Sequence, residues 1–164
     1  MEQGIYPDVR RRRAFINRIL DIEGGYVDNP DDPGGETNMG ISRRSYPGED
    51  IKNLLPSRAT MIYVRDFYEP LRIDGIKDEA VVWALFDMGV NSGVAVTARR
   101  LQMAVNHVTG ASLDVDGRIG PLTLDALNRA RADILLVVLA AYRIMLHVAI
   151  VKKRPGTRQF VPGW

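Results

Sequence analysis

Residues 10–25 read RRRRAFINRILDIEGG, and their pattern predicts a helix that ends at the two glycines. The apolar positions recur at helical spacing: Phe15, Ile16, Ile19, Leu20 and Ile22. At 100° per residue Glu23 lies inside their arc, about 80° from Phe15. Burial disfavours the ionised carboxyl and raises its pKa, as a general acid requires. The helical wheel alone leaves open a plainer interpretation, in which Glu23 extends to solvent or pairs with Arg18 or another of the nearby arginines.

Further helical patterns follow, separated by turn residues, at 57–69, 78–88, 94–107, 121–127 and 133–151. Ser57 is the expected N-cap of the first pattern and Pro70 its stop, while Pro121 suits a first helical position. Residues 26–45 are rich in glycine and proline, which predicts an ordered loop or a short hairpin. The predicted fold class is therefore all-α or mainly α.

Composition limits the chemistry that is available to this chain of 164 residues. It has no cysteine, which excludes disulfides, thiolate zinc sites and a cysteine nucleophile, and two histidines leave few partners for a catalytic triad. The net charge of +2 is too small to indicate a nucleic-acid binder. Asp114 and Asp116 resemble part of a calcium loop, but its closing Glu is absent. We expect no metal or cofactor, and we expect carboxylates to carry any catalysis.

Residues Ile134–Val151 form an apolar run of about 27 Å as a helix. Arg143 and His147 lie within it, and an ionisable group costs roughly 2.5 to 3.5 kcal/mol at a bilayer centre. The sequence therefore favours a buried core helix over a membrane span. No secretory signal pattern is seen at the start of the sequence, so we expect the protein to begin in the cytosol.

A second carboxylate, Asp32, follows Glu23 in the sequence and is a candidate partner in acid–base catalysis. Asp32 lies nine residues on in a segment rich in Pro and Gly, where solvent and amides keep it ionised, and Thr37 comes five residues later. One protonated and one ionised carboxyl are typical of glycosidases. For Asp32 alone, the plainer interpretation is that Asp-Pro initiates a turn.

Several motifs together resemble glycoside hydrolase family 108, the phage and prophage N-acetylmuramidases. They are Glu23-Gly24-Gly25-Tyr26-Val27, Asp32-Pro33-Gly34-Gly35-Glu36-Thr37, Phe86-Asp87-Met88-Gly89-Val90-Asn91-Ser92-Gly93 and Asp116-Gly117-Arg118-Ile119-Gly120-Pro121. The resemblance covers essentially the whole chain. It implies a lysozyme-like helical fold that cleaves the β-1,4 bond between N-acetylmuramic acid and N-acetylglucosamine. It further implies a muramidase region at 1–92 and a peptidoglycan-binding helical region at 93–164.

By this resemblance Glu23 is the catalytic acid. Asp32 and Thr37 are similar in order to the residues that position water in phage lysozymes, although the last spacing is one residue shorter. Asp28 is a rival second carboxylate, because the chain has Asp28-Asn29 where the family often has Asn-Asp.

Three further residues are expected to bind substrate: Tyr26, Tyr68 and Asn91. Tyr68 stands where the family commonly has Trp and keeps an aromatic surface for a sugar ring. For Asn91, which lies four residues after Asp87, hydrogen bonding to backbone groups within the core is the stronger expectation.

The implied partner is bacterial peptidoglycan, and the implied protein is a monomeric endolysin without a cofactor. It would stay in the host cytoplasm until release, with a holin for export, and would then act on the cell wall. Two alternatives remain at this point. One is a non-catalytic peptidoglycan-binding or secretion-accessory protein on the same scaffold, and the other is an effector tethered to the membrane by Ile134–Val151.

Overall fold

The computed structural model describes residues 12, 15–17, 25–28, 35–153 and 156. The chain divides into two compact units, Met1–Asp66 and Phe67–Trp164. The described structure is mainly helical with one small sheet, which confirms the predicted fold class. The boundary expected between a muramidase region at 1–92 and a peptidoglycan-binding region at 93–164 remains a prediction.

The first unit begins with part of the helix that the opening motif predicts. Residues 15–17 are helical, Phe15 and Ile16 are buried, and Asn17 is exposed. The apolar face expected from the spacing is therefore present at these positions. Glu23, with Asp32 of the following segment, lies outside the described residues.

A tight hairpin follows in the segment where a loop or short hairpin was predicted. Strands β1 (Thr37–Asn38) and β2 (Ile41–Ser42) pair antiparallel, with Thr37 opposite Ser42. Met39 and Gly40 connect them, both with positive φ, at 49° and 73°. Two successive residues with positive φ match the right-handed twist of paired strands. The buried Asn38 donates to the carbonyl oxygen of Ile51 at 3.0 Å and fixes the hairpin to the chain that follows.

Helix α1 (Pro56–Tyr63) begins one residue before the predicted start, and its N-cap is Leu55. The expectation that Ser57 is the N-cap is wrong, because Pro56 takes the first helical position, where its fixed φ and missing N–H suit the helix. The α-helix also ends earlier than predicted. The chain continues as a π-helix over Val64–Tyr68.

The described part of the second unit contains helices α2 (Glu79–Ser92), α3 (Val94–Thr109), α4 (Pro121–Arg129) and α5 (Ala132–Lys153), preceded by a 3-10 turn at Ile73–Gly75. Asp78 caps α2 by accepting the N–H of Val81 at 3.0 Å. Gly93, with a φ of 85°, separates α2 from α3, and Gly110 in the left-handed region ends α3. Pro121 occupies the first turn of α4, as predicted.

Helices α2, α3 and α5 pack against one another, and α4 packs against α3. Their shared core is made of small and branched apolar side chains, among them Val82, Leu85, Leu101, Ala104 and Val105.

Helix α5 departs from the prediction of a buried core helix. Its most apolar 18-residue window has a mean hydropathy of 2.4, yet only 11% of that window is buried. By length and composition the helix is able to cross a membrane. Leu135 and Leu139 are buried, whereas the outer face carries exposed apolar side chains: Ile134, Val137, Ile144, Met145 and Val148. The expectation is wrong because only one side of α5 contacts α2 and α3, and hydropathy does not reveal how many sides are covered.

Candidate functional site

The segment Tyr26–Asp28 lies against the first strand of the hairpin. Val27 and Thr37 form an antiparallel bridge, and each donates its N–H to the carbonyl oxygen of the other at 2.8 Å. The hairpin thus brings together three residues singled out from the sequence: Tyr26, Asp28 and Thr37. The half-buried Thr37 hydroxyl donates to the carbonyl oxygen of Gly35 at 3.4 Å, a long hydrogen bond that holds it weakly.

Glu36, the residue before Thr37, accepts a hydrogen bond at each of its two carboxylate oxygens. The Tyr26 hydroxyl donates to Oε2 at 3.0 Å, and the Arg43 Nε donates to Oε1 at 2.8 Å. Arg43 lowers the pKa of the Glu36 carboxyl by this hydrogen bond, and Tyr26 adds to the effect. Glu36 is therefore ionised at neutral pH, so it fastens the hairpin and does not donate a proton.

Arg43 continues this network toward α1. Its second nitrogen donates to the carbonyl oxygen of Glu49, and the Glu49 carboxylate accepts from Arg58 Nε at 3.0 Å. Hydrogen bonding to Arg58 lowers the pKa of Glu49. The Tyr63 hydroxyl donates to the carbonyl oxygen of Met39 at 2.9 Å, which ties the hairpin turn to α1 as well.

Sequence reasoning gave no role to Glu36 or Arg43. The sequence pattern that would predict this pair is two opposite charges seven residues apart, one on each side of a two-residue turn. Residues so placed become cross-strand neighbours when the hairpin closes, and opposite charges there stabilise the pairing. The backbone confirms this register, because the Arg43 N–H donates to the carbonyl oxygen of Glu36 at 2.9 Å.

Glu23 and Asp32 fall outside the described residues, so their catalytic roles remain predictions. Asp28 is exposed beside Tyr26, whose pKa is raised by burial of the phenol, by its bond to Glu36 and by the charge of Asp28. Within the described ranges, no three His, Cys, Asp or Glu side chains are grouped to hold a metal ion.

Tyr68 and Asn91 belong to the second unit. The Tyr68 ring is 0% exposed, and its hydroxyl donates to Asp74 Oδ1. The role of Tyr68 in stacking against a sugar ring remains a prediction. Stacking would require the side chain to become exposed.

Asn91 Nδ2 donates to the backbone oxygen of Asp87 at 2.9 Å and to its Oδ1 at 3.1 Å. Asn91 thus does bond a backbone group, but the expectation that it does so within the core is wrong, because Asn91 lies exposed in the last turn of α2.

Asn91 also lines a cavity of about 250 Å³ together with Ser92 and His147. Burial lowers the pKa of His147, and the charge of Arg143 lowers it further. The imidazole is therefore neutral at pH 7.

Comparison with known proteins gives two matches to protein families. The model of the family described as glycosyl hydrolase 108 matches residues 16–93, and that of a predicted peptidoglycan domain matches residues 95–164. Among solved structures, the chain is similar to SagA of Brucella abortus at 31% identity, with a TM-score of 0.75. The match covers 94% of this chain and 87% of that one. No curated protein matches the chain.

Proposed function

Because the chain belongs to the glycosyl hydrolase 108 family, we propose that it is an N-acetylmuramidase that uses Glu23 as its general acid. The family is one of lysozyme-like glycoside hydrolases, and the domain matched at residues 95–164 supports peptidoglycan as the polymer. The observation that carries the proposal is the presence of both matches in one chain, with the Glu23-Gly24-Gly25 motif inside the first. The bond cleaved is the β-1,4 linkage from N-acetylmuramic acid to N-acetylglucosamine.

In this mechanism Glu23 protonates the glycosidic oxygen as the bond to the leaving sugar breaks. Asp32 stabilises the oxocarbenium-like transition state or activates the attacking water. Thr37 orients that water. The long bond from the Thr37 hydroxyl to the Gly35 carbonyl oxygen supports this role, because a weakly held hydroxyl is able to exchange that partner for water.

Tyr26 supports substrate binding in the same unit. The residue is 39% exposed, and its hydroxyl is held by Glu36 at 3.0 Å, so the ring has a fixed orientation at the surface. Aromatic rings offer large apolar faces that bind other ring systems. The network of Glu36 and Arg43 then acts as a support for both Tyr26 and Thr37.

The assignment of the acid is tested by Glu23→Gln, which keeps the shape of the side chain and removes its proton. We expect the purified variant to lose at least about 100-fold in the rate of peptidoglycan cleavage, the usual contribution of a general acid. Glu69→Gln makes the same chemical change at an exposed residue outside the motifs and is the matched control. A Glu23→Gln protein that cleaves at the control rate would rule out the assignment.

The second carboxylate is identified by comparing Asp32→Asn with Asp28→Asn. We expect Asp32→Asn to reduce the rate of cleavage far more, because Asp28 is exposed and already lies beside Tyr26. A greater loss of rate in Asp28→Asn than in Asp32→Asn would assign the role of the second carboxylate to Asp28. The anomeric configuration of the first product then distinguishes inversion from retention, which follow from carboxyl separations of roughly 6.5–9.5 Å and 5–5.5 Å.

The biological setting that fits this activity is an endolysin that meets the cell wall after release through a holin-type pore. We propose that it acts there as a monomer. The non-catalytic alternative, a peptidoglycan-binding accessory protein, predicts binding to purified peptidoglycan without release of any fragment by the wild-type protein.

A further inference from the structure

We propose that a cavity of the second unit, between the loop 112–120 and the start of α4, binds the charged peptide stem of peptidoglycan. The cavity has a volume of about 460 Å³, within the range of roughly 300 to 1,000 Å³ that small-ligand sites occupy. This inference rests on the proposed function only in taking peptidoglycan as the polymer. It adds a second point of contact, directed at the peptide and separate from the glycan bond that is cut.

The walls of this cavity are held in place by two buried or half-buried amide side chains of α3. Asn106 Nδ2 donates to the carbonyl oxygen of Leu113 at 2.8 Å, and the Leu113 N–H donates back to Asn106 Oδ1 at 2.8 Å. Gln102 Oε1 accepts the N–H of Gly117 at 3.0 Å, and its Nε2 donates to the carbonyl oxygen of Arg118 at 2.9 Å. A loop fixed in this way loses little freedom on binding, so it is preorganised for a ligand.

Two guanidinium groups in the lining are available to an anion. Arg72 and Arg118 are exposed at the cavity, and within the described part of the chain neither side chain forms a hydrogen bond or a close ion pair. Besides the hydrogen bond from Gln102, the charge of Arg118 does act on Asp116 of the same wall and helps to lower its pKa. Arg side chains bind carboxylates through paired, charge-assisted hydrogen bonds. The cavity therefore offers a site for one or two carboxylate groups.

Thr123 adds a polar group at the base of α4. The residue lines the cavity and is only 4% exposed, yet no described residue forms a hydrogen bond with its hydroxyl. The hydroxyl oxygen is not itself sealed from solvent, so it is open to a ligand or to a water molecule at the cavity surface. A bound carboxylate oxygen would accept a hydrogen bond from this hydroxyl.

Carboxylates of the protein lie on the same wall. Asp114 is exposed, and Asp116 is held ionised because Gln102 Nε2 donates to Oδ1 at 2.8 Å and the Arg118 N–H donates to the same atom at 2.8 Å. The cavity thus presents both signs of charge within one small volume. Its complement is a ligand that carries carboxylates and an amine together.

In peptidoglycan these charges belong to the peptide stem. The lactyl carboxyl of the glycan is consumed in the amide to the peptide, whereas the stem has free carboxylates and, at a diamino acid, a free amine. The described wall of the cavity contains no aromatic ring on which a sugar would stack. The chemistry of the lining therefore favours the stem over the glycan strand.

Calorimetric titration of the full-length protein tests this inference with a defined probe. The probe is the synthetic tripeptide L-Ala-γ-D-Glu-meso-diaminopimelate, compared with its carboxyl-amidated form and with the neutral tetramer of N-acetylglucosamine. We expect Arg118→Gln and Thr123→Val each to weaken tripeptide binding, Arg118→Gln by about tenfold, because a hydrogen bond to a charged group is lost. Arg129→Gln is the matched control, since Arg129 pairs with Asp125 on α4 and does not line the cavity.

Tighter binding of the free tripeptide than of its amidated form, with loss in Arg118→Gln but not in Arg129→Gln, would support the inference. Absence of tripeptide binding by the wild-type protein, or equal binding by Arg118→Gln, would overturn it. Thermal unfolding of each variant establishes that it is folded. If the wild-type protein binds the tripeptide but cleaves no glycan, the proposed function fails and this inference stands. If the wild-type protein cleaves the glycan but does not bind the tripeptide, this inference fails and the proposed function stands.

Discussion

Arg143 of α5 forms an ion pair with Asp87 of α2. The same Asp87 carboxylate accepts a hydrogen bond from Asn91 at 3.1 Å, so one carboxylate joins the two helices and the last turn of α2. The charged side chain in the middle of an apolar helix thus faces the protein, while the outward face of that helix is apolar. Helices at a protein surface usually have their charged residues on the outward face. Because α5 has the reverse arrangement, composition alone predicted its burial wrongly.

Replacing Arg143 by Met is expected to lower the free energy of unfolding by about 1 kcal/mol, the upper end for partly exposed pairs. The loss comes from leaving Asp87 without its cation and from removing a side chain that is only 25% exposed. Urea unfolding measures the change. Arg129→Met, which breaks an exposed pair with Asp125, is the control and should cost less. Equal losses in the two variants would show that the Arg143 pair adds nothing beyond a surface pair.

The ion pair of Glu36 with Arg43 should make the hairpin sensitive to acid. The pKa of Glu36 is lowered in the folded protein, so its contribution is fully present above the ordinary value of 4.5 and is lost as pH falls through the lowered value. We expect Glu36→Gln to have a lower urea midpoint than the wild type at pH 7. The difference between the two proteins should shrink as pH falls below 4.5 and should vanish once the wild-type carboxyl is protonated. A difference that persists unchanged at low pH would contradict this origin of the stability.

Gly117 is required by the loop that borders the cavity. Its φ is 84°, and an added Cβ would lie 3.0 Å from the carbonyl oxygen of Ala95 and 3.1 Å from the Arg99 guanidinium carbon. Gly117→Ala should therefore lower the free energy of unfolding by about 1–3 kcal/mol. Gly120→Ala is the control, because its φ is −90° and no atom lies near the added Cβ. Equal stability of the two variants in thermal unfolding would contradict the strain at Gly117.

Helix α5 gives the membrane-tethered alternative a specific test. To span a bilayer it would have to leave α2 and α3 and bring Arg143 near the bilayer centre, at a cost of roughly 2.5 to 3.5 kcal/mol for that residue alone. We expect the purified protein to be monodisperse in buffer without detergent and to remain in the aqueous fraction when it is mixed with lipid vesicles. Flotation of the protein with the vesicles would support the tether.

Local signals in the sequence predicted much of the fold. The bounds of α3 follow from Gly93 and Gly110, and the start of α4 follows from Pro121, because these residues act on the backbone at their own positions. The π-helix at Val64–Tyr68 was not predictable, since apolar spacing does not distinguish it from the last turns of an α-helix.

The candidate site was predictable to a smaller extent. The hairpin that carries Thr37 follows from turn residues, and its bridge to Val27 places Tyr26 nearby. The role of Glu36 depends on cross-strand register, which exists only once the hairpin has closed. The cavity beside the loop 112–120 depends on how α3, α4 and that loop meet, which no local pattern encodes.

Mass analysis of the fragments that the protein releases from purified peptidoglycan distinguishes a muramidase from the other classes of peptidoglycan hydrolase. We expect disaccharide-peptides that end in a reducing N-acetylmuramic acid, the products of a muramidase. Fragments that end in reducing N-acetylglucosamine, in an anhydro sugar or in free peptides would contradict this expectation, as would the release of no fragment at all.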